Sequence, residues 1–408
     1  MTKLNERKVI VGDEIVSLDS PDSQAALERA QQAKVRPKCL CRAGGIDMYI
    51  SKAGDAYIVK RMPGTGRAHA MECDSYEPPE GLSGRSLLEG GAIRENADDG
   101  VTHLKFDFSL SKKGAGVSPT PSAGAATTVE ADPKRLSLAA TLDFLLEEAQ
   151  FNRWTPAMDG RRNWAVFRKY LRQAATTTAS KAGNLGDVLY MPEPFRAEEA
   201  QAIVARRDAA LAPITAAGQA GRRMMILVAE VKEITTARYG FKIVVRHAPD
   251  FHFMLSEDLH KKLSKAFGPE LQMWDAEASS HLICIATFSV SPNGYATIHA
   301  VALRLLSPQW LSIRSGYERR LLSDIVATRK FHQGLRYTLS DNVPYATVTL
   351  MDLAEPVPLY LELPNASDEF KERLQAITTD LPFPSVTWRV ADGVPPAIPP
   401  VAHARDGG

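Results

Sequence analysis

The stretch "CLCRAGGIDMYISKAGDAYIVKRMPGTGRAHAMEC", Cys39 to Cys73, carries three of the four cysteines of a 408-residue chain, together with a histidine. One residue separates Cys39 from Cys41, and three separate His69 from Cys73. Between the pairs, "GIDMYIS" and "AYIVKR" alternate apolar and polar residues around "KAGD", the pattern of two strands joined by a turn. A two-stranded excursion brings its ends back together, so both pairs can meet. Three thiolates and an imidazole are a donor set that a tetrahedral zinc ion takes. Cys39, Cys41, His69 and Cys73 are therefore read as ligands of one structural zinc, closed because no fifth candidate lies nearby. Arg42, Lys60, Arg61 and Arg67 flank the stretch and would offset the charge of three thiolates. Two alternatives stay open on the residues alone. One is reduced, buried cysteines without metal; the other is a catalytic cysteine, for which no His/Asn partner signature is recognisable. Cys284, inside "HLICIATF", reads as a small core residue.

The totals bound the rest. A chain of this length predicts two or three domains, and a hydrophobic fraction of 44% supports sizeable cores. A net charge of +1 argues against a wholly basic nucleic-acid binder, so any such contact must come from local patches. No apolar run approaches the ~18 residues of a membrane span. The first residues, "MTKLNERKVIVGDEIV", lack a secretory pattern. A cytoplasmic location is the expectation, and there clustered cysteines mean metal or catalysis more often than disulfides.

Residues 1–111 read as a β-rich zinc-binding domain, with a helix-like run "SQAALERAQQAKV" and a strand "GVTHLKFDFSLS". Residues 112–134 are Gly, Ser, Pro, Ala and Thr with nothing to bury, and read as a flexible linker. Residues 135–220 read as a helical module. "LSLAATLDFLLEEAQ" carries Leu138, Leu142, Leu145 and Leu146 on one face, and "RRNWAVFRKYLRQAA" carries Trp164, Phe167 and Leu171, with Asp159 as its cap. Residues 221–394 alternate strands and helices as an α/β domain, and the Pro/Ala-rich tail 395–408 reads as disordered. The fold class expected is thus α+β and multidomain. Trp154, Trp274, Trp310 and Trp388 are expected as core anchors. His247 and His252, in "RHAPDFHF", are expected at a surface, without a partner that would complete a metal set.

Two basic sets stand out. Arg161, Arg168 and Arg172, flanked by Lys169, fall away from the Trp164 stripe. With the preceding helix they resemble a helix-turn-helix arrangement that lays basic side chains against phosphates. Arg319, Arg320, Arg329, Lys330 and Arg336 form the second set. A solvated, charged helix face is the competing reading of both.

The order helix, three strands, helix, strand in residues 316–391 is similar to the core of restriction-endonuclease-like, PD-(D/E)xK, nucleases. The resemblance implies a magnesium-dependent endonuclease with Glu318 and Glu362 as metal-binding carboxylates. The family's Pro-Asp is Pro344-Tyr345 here, and its lysine is Pro364. Asp352 would stand in for the acid and Lys371 for the lysine. Otherwise, Glu318 and Glu362 are ordinary surface acids. Over nearly its whole length, through "CLCRAGG", "IVKRMPGTGRAHAMECDSYEPP", "FNRWTPAMDGRRNW", "YMPEPF" and "GLRYTL", the chain also resembles an uncharacterised proteobacterial family carried on plasmids and integrative elements. That likeness implies a mobile-element setting and does not say what the activity is.

Three functions are expected from these readings. The first is a zinc-binding, non-catalytic, DNA-associated accessory protein of a mobile element. The second is a metal-dependent endonuclease using Glu318, Asp352 and Glu362. The third is a protein-interaction scaffold in a conjugation or defence complex, contacting other proteins of the element.

Overall fold

The strands expected around Cys39–Cys73 pair as Ile46–Ala53 and Ala56–Arg61, in antiparallel register from Met48 opposite Arg61 to Ala53 opposite Ala56. Gly54 closes their turn at φ +62°, a conformation glycine adopts without steric cost. Lys38–Cys39, Lys8–Val11 and Glu14–Ser17 extend the ladder into a five-stranded antiparallel sheet. The helix Ser23–Gln32 lays Leu27 and Ala30 on Ile50 to cover it. This computed structural model describes residues 7–71, 73–77, 82–112, 134–215, 222–337 and 339–401. The segment 113–133, nearly all of the expected linker, lies outside the described residues, as do 402–408 of the tail.

Both flanks of the expected linker join the same body. Phe106 bridges Leu136 in parallel, with Leu136 N–H donating to the Lys105 carbonyl and Asp107 N–H to that of Leu136. Ser111–Lys112 pairs with Arg222–Arg223. One cluster of buried apolar side chains runs from Leu88, Ile93 and Leu104, through Leu142 and Phe167, to Phe288, Phe331 and Val390. The helices placed in residues 135–220 therefore share one core with the strands after Arg222, where a separate module was expected.

At the centre of that core is a barrel. Met225–Thr236, Phe241–Val245, Ala248–Leu255, Ala296–Leu306 and His281–Val290 are neighbours in that order, and the first pairs again with the last, closing the ring. All contacts are antiparallel except Ala248–Leu255 beside Ala296–Leu306. The helices Glu257–Ala266 and Gly268–Ala276 intervene between the third strand in sequence and the fourth. This is the connectivity of an OB-type barrel. Ile243, Phe253, Cys284 and Phe288 are fully buried, and Phe253 meets Phe288 edge-on at 5.3 Å. Cys284 is the core residue its apolar run implied.

The helix Leu138–Glu148 is buried along most of its length, Asp143 included, against this barrel. Fifteen residues separate it from Trp164–Thr176, and a strand, Arg153–Trp154, lies between. The expected helix-turn-helix is absent for that reason: its first helix is a core element and the connection is no tight turn. The cap of the second helix is Asn163, whose side chain accepts from Val166 N–H, and Asp159 instead ends a 3₁₀ turn.

In the last third, Gly316–Ile325, Phe331–Gln333, Val348–Leu350, Val357–Glu362, Asp368–Asp380 and Val386–Arg389 occur in the expected order. Their strands form a mixed sheet completed by Arg153–Trp154. Residues 395–401 do not behave as a free tail. Arg329 Nη1 donates to the Pro399 carbonyl at 2.7 Å, and Ile398 packs on the core. Trp154, Trp164, Trp310 and Trp388 are buried and Trp274 is half-buried.

Candidate metal centre

Cys39 ends the short strand Lys38–Cys39, and Cys41 sits in the turn immediately after it. Gly44 and Gly45 reverse the chain there at φ +84° and +70°, and a Cβ on Gly45 would lie 3.0 Å from that of Lys38. His69 caps the 3₁₀ turn Gly66–Ala68, and Cys73 N–H bonds back to the Ala70 carbonyl. Gly66 lets the loop fold on itself, since a Cβ there would meet that of Glu77 at 2.6 Å.

These two turns bring four ligand atoms within 4.8 Å of one another. Cys39 Sγ lies 3.6 Å from Cys73 Sγ, and His69 Nδ1 lies 3.4 Å from Cys41 Sγ and 3.7 Å from Cys73 Sγ. A tetrahedral zinc with Zn–S near 2.3 Å has S···S edges of about 3.8 Å and slightly shorter S···N edges. The spacings fit one ion of that kind. Cys39 and His69 are buried and Cys41 and Cys73 half-buried, so the site is closed. Backbone N–H groups of Ala70 and Ser75 donate to Cys41 Sγ and Cys73 Sγ at 3.4 Å each, which stabilises thiolates. A hydrogen bond from Cys39 holds Cys73 well below the usual thiol range. His69 Nε2 is buried without a hydrogen-bond partner. With Nδ1 on a metal, that nitrogen is the one carrying the proton. Among the described residues this is the only His/Cys/Asp/Glu group so arranged.

The flanking cations behave differently from expectation. Lys60 pairs with Glu148 at 2.9 Å and Arg61 pairs with Glu77, while Arg42 and Arg67 hold no carboxylate among the described residues. Beyond the metal loop, Gly66, Asp74, Arg85, Glu148 and His332 line a polar cavity of about 200 Å³. Arg85, 4% exposed, bonds Glu89, Glu95 and Glu148 at 3.0, 2.5 and 2.9 Å. Sequence reasoning misses this residue. Its only local signal is the i, i+4 pair Arg85–Glu89 in "RSLLE", since Glu95 and Glu148 arrive through tertiary packing.

The family model of DUF1173, described as a protein of unknown function, matches residues 10–391. The chain belongs to the DUF1173 family. No curated protein and no solved structure matches it.

The three carboxylates expected from the nuclease likeness do not converge in this DUF1173 chain; they form no metal-holding group among the described residues. Glu318 is 7% exposed and serves its helix: its side chain accepts from Arg314 N–H at 2.6 Å and from the Tyr345 hydroxyl at 3.0 Å, while its own N–H bonds the N-cap Ser315. Asp352 accepts from Arg329 Nε and Nη2 at 2.8 and 2.7 Å and from Lys330 N–H. Glu362 lies beside Arg389 on the adjacent strand. Lys371 pairs with Asp368.

Of the basic sets, Arg319, Arg320, Arg329 and Arg336 each hold a carboxylate: Glu277, Asp324, Asp352 and Asp341. In the other set, Arg168 donates to the Met191 carbonyl. Arg161 is exposed in the turn before the helix, Lys169 is exposed on it, and Arg172 is half-exposed.

His247 acquires the acidic partner the sequence did not show. The buried Glu230 lies 3.7 Å from His247 Nε2, 2.9 Å from His281 Nδ1 and 3.0 Å from Arg246 Nε. His247 stacks on Trp164 and His281 on Trp310. Burial alone would raise the Glu230 carboxyl, but hydrogen bonds with His247 and His281 and the charges of His281 and Arg246 lower it to about 2. A carboxylate depressed in the folded state contributes stability that is present above its ordinary value and lost as pH falls through the folded value. Roughly 3 kcal/mol is expected to disappear between about pH 4.5 and pH 2. Melting measured over that range should show a steep acid limb in the wild type and a shallower one in Glu230→Gln.

Proposed function

We propose that this DUF1173 protein is a zinc-organised, non-catalytic accessory protein of a mobile element that associates with DNA. The zinc site is its structural anchor. The observation that carries the DNA reading is the contrast between the basic sets. Arg161, Lys169 and Arg172 reach solvent with no carboxylate partner among the described residues, whereas the arginines of the second set are neutralised in place. Unpaired cations on a helix and the turn before it can displace counterions from phosphates, which drives sequence-independent binding. The separate commitments of Glu318, Asp352 and Glu362 favour this reading over the endonuclease. The mobile-element setting rests on the family likeness.

Duplex binding at several salt concentrations tests it. The wild type should bind at low salt with a log–log slope of about −2 to −3, for two or three phosphates neutralised. Arg172→Ala should reduce that slope by about one. No duplex binding at low salt would leave the scaffold reading, which the net charge of +1 favours.

A further inference from the structure

We propose that one end of the barrel is a site for single-stranded nucleic acid, with Tyr239 and Tyr295 as base-stacking platforms. Tyr239 lies in the turn between Met225–Thr236 and Phe241–Val245, and Tyr295 in the turn between His281–Val290 and Ala296–Leu306. Phe241 pairs with Leu255, and Ala296 pairs with Phe253. Both turns therefore flank the same end of the strand Ala248–Leu255, from its two sides. One strand intervenes, so their roots stand roughly 10 Å apart.

The tyrosines are 78% and 66% exposed, the most open aromatic side chains among the described residues. An aromatic ring left in water at each of two adjacent turns serves no packing purpose in a barrel whose interior is filled. Four cations stand near these turns. Arg238 stands 5.3 Å from the Tyr239 ring. Lys242 lies in register with Thr235, Met254 and, one strand further, Thr297. Lys261 and Lys262 are exposed on the helix that begins just after Leu255. None of these four cations holds a carboxylate among the described residues. Glu257 and Asp258 occupy that helix's first turn, where its dipole favours them, and Glu233, opposite Val244, stands two residues from the Thr235 that faces Lys242.

Exposed rings with free cations match a flexible polyanion whose bases present open faces. A duplex hides those faces, and a neutral sugar has no use for the cations. Barrels of this connectivity host many functions, so the inference rests on these side chains and not on the fold. It uses the DNA-associated reading only for ligand class, and its surface is separate from Arg161, Lys169 and Arg172.

The test is fluorescence anisotropy on the full-length, zinc-loaded protein with labelled oligo(dT) of about twelve nucleotides, an equal duplex, and maltohexaose as competitor. Oligo(dT) should bind, and Tyr239→Ala and Tyr295→Ala should each weaken it at least fivefold, about the effect of one lost stack. Tyr239→Phe should retain binding, because the ring remains. Both positions are exposed, so folding is not at stake. Duplex binding should respond to Arg172→Ala and ignore the tyrosine variants, which separates failure of this site from failure of the helix face. The proposal is overturned if oligo(dT) does not bind at low salt, if both alanine variants bind as the wild type does, or if maltohexaose displaces the oligonucleotide.

Discussion

Stripping the metal with a chelator, or replacing Cys73 with serine, is expected to unfold residues 7–77 and leave the barrel standing. Metal analysis of the intact protein should return about one zinc per chain, and the Cys73→Ser protein close to none. The magnitude is large because metal-ligand free energy becomes folding free energy when the site does not exist in the unfolded chain: about 10–16 kcal/mol in small zinc modules. Here the ion joins the turn after the two-residue strand Lys38–Cys39 to the loop that follows Ala56–Arg61. The lobe's own apolar cluster is small, three buried residues around Leu27. Residues from Leu88 onward belong to the main core and should keep their protection. Hydrogen exchange checks this directly: protection should vanish in Ile46–Arg61 and persist in Met225–Thr236. Equal protection in both segments with and without metal would remove zinc from the account of this fold.

Arg85→Met is the second large effect. The guanidinium is nearly inaccessible and holds three carboxylates, one from its own turn and two from elsewhere. Removing it leaves Glu95 and Glu148 unneutralised in a confined site beside the more open Glu89, with Lys60 answering only Glu148. The expected loss is about 3–5 kcal/mol, the usual consequence of deleting one member of a buried charge network. Its pH dependence has a definite sign. Without Arg85 the carboxylates are raised in the folded state, so they take up protons readily and the penalty shrinks as pH falls. Denaturant melts at pH 7 and pH 5 should show the larger deficit at pH 7. Adding Glu95→Gln to Arg85→Met should recover part of it, since a neutral amide is less costly there than a second unpaired charge.

The Cys/His cluster is legible because its chemistry is carried by residue type and short spacing: Cys-x-Cys, His-x₃-Cys and an alternating hairpin between them. Most strands and helices are legible for the same reason, as local periodicity. The helix-turn-helix reading fails because Leu138–Glu148 is apolar enough to be buried nearly all round, a property that one-face periodicity does not separate from amphipathicity. Glu318 and Asp352 look available for metal because position in an element says nothing about partners. One serves its helix terminus and the other an arginine from the strand approach. His247 looks unpartnered because Glu230 stands seventeen residues away and His281 further still, and the barrel brings them together.

Near-neighbour chemistry is enough to name the four sulfur and nitrogen ligands and to class most of the elements, because both are written within a few residues of chain. It is not enough to pair Met225–Thr236 with His281–Val290 and close a barrel, to join residues 82–112 to the main core, or to bring Glu148 to Arg85. Those outcomes depend on contacts between segments tens to hundreds of residues apart. Such contacts are selected by how well the whole set of buried surfaces and charges can be satisfied at once, which no short window of residues contains.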